Sequence, residues 1–369
     1  MVRDGELMAR AIEIAELGRV TAPPNPWVGC VLVRDGEIVG EGFHVRPGEP
    51  HAEVAALRVA GTRARRATAY VTLEPCAHHG RTGPCADALI QAGVTRAVLA
   101  LEDPDARVSG RGLDTLRAAG VEVTVGVGAA EAATSLAPYL HHRRTGRAYC
   151  LAKVAMTLDG RIAAADGSSR WITGEAARHD THELRAESQA IVVGSGTALA
   201  DDPALTVRGV TVMRPSALRV LLDGRGRVPA TGGLFDEAFG PTLVLTTEAA
   251  ATSAVDAWQA AGAKVEVLPT GSAGVGVDLT AALALLGTHD VVQAMFEGGA
   301  HVHGSIAAAG IADRIVAYVA PMVLGDRGVP AYAWEGPQTL ADARRFELHD
   351  MTRFGDDVRI DLRNPAGPT

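Results

Sequence analysis

His51-Ala52-Glu53, followed by Glu74-Pro75-Cys76 and Pro84-Cys85, is the stretch whose reading decides the fold of the first half of this chain. His51-Ala52-Glu53 heads an apolar helical pattern, Val54 to Ala60, and a strand-like run, Ala67 to Leu73, comes next. Glu74-Pro75-Cys76 ends that run. A polar loop, Ala77 to Gly83, then leads to Pro84-Cys85 and a second helical pattern, Ala86 to Ala92. Helix, strand, loop and helix in this order put one imidazole and two sulfurs where strand ends of a parallel sheet meet helix starts.

Those three groups suit zinc. A catalytic zinc takes three nitrogen or sulfur ligands and leaves its fourth position to water. His51, Cys76 and Cys85 supply the three. Proline fits the first turn of a helix, and a cysteine beside it lies near unpaired N–H groups that favour the thiolate. Zinc lowers the pKa of its water to about 7. Glu53, two residues beyond His51, is placed to take that water's proton and pass it to a ring nitrogen and to departing ammonia. His-x-Glu alone is a weak signal, and two Pro-Cys pairs can be buried thiols at helix starts. The ordered combination is much more specific. His78 and His79 are rival ligands, although their loop suits a substrate contact better.

Around this stretch, the chain alternates helical and strand patterns. An amphipathic helix (Leu7, Ala11, Ile14, Ala15) ends near Gly18, and Thr21 to Pro26 is too proline-rich for helix or central strand. Val28 to Val33 and Glu37 to Phe43 flank Arg34-Asp35-Gly36, a hairpin signal. A strand (Arg96 to Leu101), a helix (Leu113 to Ala119) and a strand (Val121 to Val125) complete an α/β domain. Pro138 to Arg147 is polar and basic and reads as a solvated linker, so the boundary falls near Thr145, giving domains 1–145 and 146–369.

The 369 residues exceed one ordinary core. Residues 1–145 hold 16 arginines and 17 acidic residues, so most of the net charge of −8 belongs to the rest. Neither half has a nucleic-acid binder's basic excess. No apolar run of about 18 residues is present and the N-terminus lacks an export pattern, so no membrane partner and a cytoplasmic location are expected. Four cysteines in this length are no disulfide framework; Cys30 and Cys150 read as packed thiols.

His51-Ala52-Glu53 with Pro75-Cys76 and a later cysteine resembles the zinc-dependent cytidine and nucleobase deaminase superfamily. The common form has two residues between its cysteines, whereas this chain has eight. That longer loop, with Pro24-Asn25-Pro26, Val28-Gly29 and Gly48-Glu49-Pro50, is similar to the deaminase half of the bifunctional riboflavin-biosynthesis deaminase/reductase family. The resemblance implies a cytidine-deaminase-like α/β/α domain acting on a diaminopyrimidinone that carries a ribosylamino 5′-phosphate. It also implies substrate contacts from Asn25, His44, His78 and Arg81. By themselves, Asn25 also reads as a turn residue and His44 as a strand end.

The second half has no Gly-x-Gly-x-x-Gly after a strand. Strands are expected at Tyr149 to Met156, Ala190 to Val193, Leu218 to Leu222, Thr242 to Thr246, Lys264 to Val267, Asp290 to Phe296 and Arg314 to Val319, with a closing hairpin from Arg345 to Leu362. Helical patterns span Ala176 to Glu187, Ala254 to Ala261, Leu279 to Leu286 and Ala300 to Ala309. Two glycine loops, Val193-Gly194-Ser195-Gly196-Thr197 and Phe296-Glu297-Gly298-Gly299-Ala300, end strands. Each alone reads equally as a tight turn; together they suggest a ligand crevice.

Here too the chain resembles that family, in its reductase half, through Lys153 to Gly160, Trp171-Ile172-Thr173, Leu199 to Arg208 and Glu297-Gly298-Gly299. The resemblance implies a dihydrofolate-reductase-like α/β domain that uses NADPH to reduce the ribose to ribityl. It places NADPH against Ala155, Trp171, Thr197, Asp201 and the run Gly299, Ala300, His301, Val302, His303, Gly304, Ser305. It places substrate against Ser169, Arg185, Leu205, Arg208 and Glu297. Asp201 would orient the sugar or relay a proton, with capping ahead of Pro203 as the alternative; Lys153 contacts substrate or cofactor, or forms a surface ion pair. Asp223-Gly224-Arg225 has glycine where the family often has serine, and no basic residue is assigned to the NADPH 2′-phosphate. The expected partners are a phosphorylated pyrimidine and further copies of this chain, as dimer or tetramer. A base deaminase acting on RNA and a structural-zinc module are the rivals; the charge balance and the three-ligand set with its adjacent glutamate disfavour them.

Overall fold

The computed structural model describes residues 2–77, 83–210, 216–272 and 274–365. The chain separates into two compact units that meet in sequence between Thr145 and Gly146.

The first unit runs α1 (Val2–Ala15), β1 (Gly29–Arg34), β2 (Glu37–Phe43), α2 (Ala52–Ala60), β3 (Thr68–Val71), α3 (Cys85–Gln91), β4 (Arg96–Leu99), α4 (Arg111–Ala118), β5 (Glu122–Val125), α5 (Ala129–Ser135) and α6 (Ala137–Thr145). Its sheet has the order β2-β1-β3-β4-β5. The β2-β1-β3 pairs are antiparallel and β3-β4-β5 are parallel. The hairpin turn is Asp35-Gly36, both at positive φ (51° and 85°), which matches the strands' twist.

Side-chain alternation gives the sheet two apolar faces. Leu32, Val71 and Leu99 pack with Ala56, Leu89 and Leu116 on one face, while Val31, Val33 and Val98 pack with Met8, Ile14 and Ala132 on the other. The unit is an α/β/α sandwich. Helix α2 lies unusually close to β2, because a Cβ at Gly42 would sit 2.4 Å from the Ala56 nitrogen. Small residues on both elements thus set where the start of α2, with His51 and Glu53, stands.

One expectation fails here. The stretch read as a solvated linker is α6, and its Pro138, Tyr139, Leu140, His141 and His142 are buried. Its charged C-terminal turn (Arg143, Arg144) dominates the composition and conceals an inward face.

The second unit runs β6 (Tyr149–Thr157), β7 (Arg161–Ala163), α7 (Glu175–Glu187), β8 (Ala190–Gly194), α8 (Ser195–Asp201), β9 (Leu218–Leu222), β10 (Thr242–Thr246), α9 (Thr252–Ala260), β11 (Lys264–Val267), α10 (Leu279–Thr288), β12 (Gln293–Phe296), α11 (Ala300–Ala309), β13 (Arg314–Ala320), β14 (Val329–Pro330), β15 (Glu347–Phe354) and β16 (Asp357–Arg363). The main sheet has the order β11-β10-β9-β8-β12-β6-β13-β16-β15, and β7 pairs with β14 apart from it. All pairs from β11 to β13 are parallel, and the last two strands close the edge as an antiparallel hairpin. The central strands are buried on both faces, so their sequences are near-continuous apolar runs.

Residues 193–197 are not a loop: Gly194 ends β8 and Ser195 begins α8. Among the described residues, no helix is long and apolar enough to cross a membrane.

Candidate active sites

In the first unit, His51 is the residue immediately before α2, Cys76 follows β3, and Cys85 begins α3. His51 Nδ1 lies 3.3 Å from Cys85 Sγ and 3.6 Å from Cys76 Sγ. A tetrahedral zinc with usual Zn–N and Zn–S bonds separates such ligands by roughly 3.6 Å, so the donor set fits the ion. The Cys85 backbone N–H donates to Cys76 Sγ at 3.4 Å. With the Cys85 thiol as its strongest partner and His51 alongside, Cys76 is held well below the ordinary thiol range. That is the protonation state a metal requires.

Glu53, in the first turn of α2, is 3% exposed. Burial, reinforced by Cys76, pushes its carboxyl up to about 7. A carboxyl so poised gives and takes a proton near neutrality.

These groups open into a cavity of about 390 Å³, also lined by Asn25, His44, Glu49, Asp103, Asp105, Arg107, Tyr139 and Arg143. Asn25 and His44 are not a bare turn and a strand end. His44 Nδ1 is 3.1 Å from the Pro50 carbonyl, so it carries the proton, and Nε2 accepts from Asn25 Nδ2 at 3.0 Å. The wall facing them was not read from the sequence. Glu74 accepts from the backbone N–H groups of Asp103, Gly110, Gly112 and Leu113, which fastens the loop after β4 beside the zinc ligands. Asp103 and Asp105 stand on that loop, and Tyr139 and Arg143 reach them from α6. Asp-Pro-Asp within a loop carries no spacing signal, so only tertiary contact reveals it. His78, His79 and Arg81 lie outside the described residues.

In the second unit, the C-terminal ends of β6, β12 and β8 bring together most of the expected reductase residues. Lys153 and Ala155 share one face of β6, two residues apart. Lys153 Nζ is 3.7 Å from Glu297, at the end of β12. Arg185 of α7 makes two N–H···O bonds to the same carboxylate and donates to the Thr206 carbonyl at 2.8 Å. Although burial opposes it, the cations Arg185 and Lys153 hold Glu297 down at about 2. Lys153, far from a surface ion pair, has its pKa lowered by burial.

The two glycine loops do converge, and their glycines divide by purpose. A Cβ at Gly298 would lie 2.4 Å from Val302 Cβ, and one at Gly194 would lie 2.7 Å from Val302 Cγ2. Those two glycines admit the first turn of α11 against the sheet. Gly196 meets nothing within 4 Å, and Gly299 meets Thr197 Oγ1 at 3.1 Å. Gly196 thus leaves space open on α8, and Gly299 brings the start of α11, which has no side-chain cap, close beside Thr197. That combination accepts a pyrophosphate, so the site fits a dinucleotide.

Other expected positions are redistributed. The run from Gly299 to Ser305 cannot all line one site, because helical periodicity turns it. His303 and Gly304 are buried, Gly304 against the Ala333 carbonyl, while His301 and Ser305 are exposed on the outer side. The Leu205 side chain belongs to the core with Ile191 and Leu221, which leaves only its backbone for a ligand. Arg185, fully engaged by Glu297 and Thr206, shapes the site rather than offering a free phosphate clamp. Asp201 ends α8 with Arg170 bonded to its carbonyl and carboxylate, and the neighbouring Asp202 carboxylate accepts from Gly233 N–H at 2.8 Å. Trp171 is 65% exposed beneath the Arg178 guanidinium. Ser169 is half-buried nearby and Arg208 is exposed, its N–H donating to His182 Nδ1. At Gly224, a Cβ would meet Gly276 and Thr247 at 3.3 Å, so the glycine is matched to a tight neighbour.

A family model of the cytidine and deoxycytidylate deaminase zinc-binding region matches residues 1–101, and one of the RibD C-terminal domain matches residues 148–360. The riboflavin biosynthesis protein RibD of Chlamydia pneumoniae is 46% identical over 355 residues, covering 96% of this chain and 93% of its own. That of Escherichia coli (strain K12) is 41% identical over 372 residues, covering 98% and 99%. Among solved structures, Acinetobacter baumannii RibD superposes with a TM-score of 0.87 at 38% identity, covering 98% of each chain. A Thermotoga maritima deaminase/reductase superposes with a TM-score of 0.84 at 30% identity, also over 98% of each.

Proposed function

From the premise that the chain belongs to the RibD family of bifunctional riboflavin-biosynthesis deaminase/reductases, we propose which residues perform each of its two reactions. The first unit is the zinc-binding, cytidine-deaminase-like half and the second the NADPH-dependent, dihydrofolate-reductase-like half. The substrates are those in the name of the Thermotoga relative: a diaminohydroxyphosphoribosylaminopyrimidine, then a 5-amino-6-(5-phosphoribosylamino)uracil.

For deamination, His51, Cys76 and Cys85 hold zinc, which acidifies water and so supplies a nucleophile at neutral pH. Glu53 would take the proton from that water and deliver it to the ring nitrogen next to the attacked carbon, then take the proton of the newly added hydroxyl and pass it to the amine, which leaves as ammonia while the carbonyl forms. Asn25, His44 and Asp103 meet the polar edge of the pyrimidine, and the family resemblance assigns His78 and Arg81 to further substrate contacts. The observation that carries this reading is a buried Glu53 lining the same cavity as His51 and Cys76, with the ligand atoms of His51, Cys76 and Cys85 within 4.8 Å of one another.

For reduction, NADPH supplies hydride to the anomeric carbon once the ribose has opened to its imine. The buried Lys153 donates the proton to the ring oxygen as it opens, and Glu297 with Arg185 fixes its ammonium. Ser169, Leu205 through its backbone, and Arg208 hold the sugar phosphate, while Ala155, Trp171, Thr197, Asp201 and the start of α11 at Gly299 and Ala300 line the cofactor groove. Arg227 joins them. It donates to the Ser195 hydroxyl at the start of α8, and its guanidinium is half-exposed. Asp223 fixes that turn by accepting from the Arg225, Arg227 and Val228 N–H groups. From Arg227 after β9 to Lys153 on β6 is three strand spacings, about 14 Å. A cofactor lying across the strand ends would have its 2′-phosphate at Arg227 and its nicotinamide at Lys153.

The β15 edge leaves seven of its eight residues exposed, Leu348 and Met351 among them. An unprotected edge of this kind supports assembly with further copies of the chain, and the phosphorylated substrates and NADPH favour a cytoplasmic location. Purified protein should hold one zinc per chain, release ammonia from the diaminopyrimidinone phosphate, and then oxidise NADPH. Zinc-free protein that still released ammonia would overturn the first half of this reading.

A further inference from the structure

Helix α6 contributes to the deaminase cavity in a way that the zinc motif does not announce. Its Tyr139 and Arg143 are one turn apart, and the Arg143 guanidinium stacks 5.1 Å from the centre of the Tyr139 ring. The Tyr139 hydroxyl donates to both oxygens of Asp103 at 3.1 Å. Asp105 donates its N–H to Asp103 Oδ1 at 2.9 Å. The Asp105 carboxylate is in turn held by Arg107 at 2.6 Å and faces Arg143 Nε at 3.6 Å. Arg143 also donates to the Pro24 carbonyl at 3.3 Å, next to Asn25. A single helix therefore ties together the two walls of the cavity.

We propose that Tyr139 and Arg143 are positioning residues for the deamination, which hold Asp103 and Asp105 in the orientation that receives the amino and ring N–H donors of the pyrimidine. The proposal rests on the assignment of this cavity to the pyrimidine. Its physical content is orientation. Asp103 is 5% exposed and has no cation within ion-pair distance among the described residues. A buried carboxylate of that kind needs a fixed donor on one side if its other lone pairs are to face a ligand. Tyr139 is that donor. Arg143, stacked on the ring, keeps the tyrosine from rotating away. A 2-amino-4-oxopyrimidine presents adjacent N–H donors, the complement of a carboxylate edge, whereas a substrate lacking the exocyclic amine loses half of that match.

Full-length, zinc-loaded Tyr139→Phe keeps the ring and removes only the hydroxyl. It should raise KM for deamination about fivefold with little change in kcat, because a ground-state contact is loosened while Glu53 and the zinc ligands stay in place. Zinc content and NADPH oxidation on pre-deaminated substrate should not change. In an Asp103→Asn background, Tyr139→Phe should add no further increase, since the partner through which it acts is gone. Arg143→Met should repeat the KM effect more weakly. An unchanged KM in Tyr139→Phe, a fully multiplicative effect with Asp103→Asn, or a parallel loss of zinc or of reduction would each overturn the proposal. Glu53→Gln, run alongside, separates the two levels. Ammonia release surviving in that variant would sink the cavity assignment itself, whatever Tyr139 does.

Discussion

Arg185 and Glu297 stand 112 residues apart in sequence, yet the guanidinium of one and the carboxylate of the other meet through two parallel N–H···O bonds. The pair lies under Lys153, whose Nζ is 3.7 Å from the same carboxylate. Two cations on one buried anion leave the cluster with a positive excess at the middle of β6, level with the end of β12. That excess is where an anionic, oxygen-rich sugar and a hydride donor are expected to meet.

Glu297→Gln leaves Arg185 and Lys153 buried without their anion. Reduction should fall by about two orders of magnitude, with deamination intact. The pH dependence has a definite sign. Burial raises the Glu297 carboxyl, but Arg185 and Lys153 outweigh it, so the folded value of about 2 lies below the ordinary 4.5. The pair therefore stabilises fully above about pH 4.5 and loses its contribution as pH falls toward 2. Melting curves of wild type and Glu297→Gln should differ most at neutral pH and converge in acid. A difference that widens in acid would contradict the assignment.

Glu53→Gln should lower ammonia release by roughly 10²–10⁴-fold, while elemental analysis still finds zinc and NADPH oxidation on deaminated substrate proceeds. Loss of both activities together would show that the two sites are not separate.

Cys85→Ser replaces a thiolate ligand that also begins α3. Zinc content should drop to near zero and deamination with it; retained zinc would remove Cys85 from the ligand set.

Gly194→Ala and Gly298→Ala both press on Val302, but only one should be rescued. Removing Val302 Cγ2 relieves a Cβ at position 194, so Val302→Ala should restore most of the 1–2 kcal/mol or so lost in Gly194→Ala. At position 298 the clash is with Val302 Cβ itself, at 2.4 Å, and Val302→Ala should not help. Thermal melts and NADPH titrations of the four variants check this.

Arg227→Gln should raise KM for NADPH about tenfold or more while leaving that for NADH nearly unchanged. Equal effects on both would move the 2′-phosphate elsewhere.

Much of this molecule was legible before any coordinates. The alternation of helical and strand patterns, the Asp35-Gly36 hairpin and the strands Leu218–Leu222, Thr242–Thr246 and Lys264–Val267 are local properties, set by side-chain periodicity and turn chemistry. The cluster of His51, Cys76 and Cys85 was legible too, because residue identity and spacing along the chain constrain the chemistry directly. What stayed hidden depends on contacts distant in sequence. Tyr139 and Arg143 sit in a basic stretch that resembles a linker until its apolar side is seen buried. Asp103 is one acid in a loop until Glu74 gathers that loop's N–H groups beside Cys76.

The reductase glycines show the same division. From sequence, all four were equally turn residues or ligand contacts. Only the adjacency of β8 and β12 assigns Gly194 and Gly298 to packing against Val302, sets Gly299 against the Thr197 hydroxyl and leaves Gly196 facing open space. Likewise the run from Gly299 to Ser305 is continuous in the chain, but the turn of α11 sends His303 inward and His301 outward. The order of residues thus determined the elements, the two-part organisation and the set of His51, Cys76 and Cys85. The arrangement of the sheets decided which side chains face a ligand, because burial and partnership are properties of neighbours that the chain brings together only when it folds.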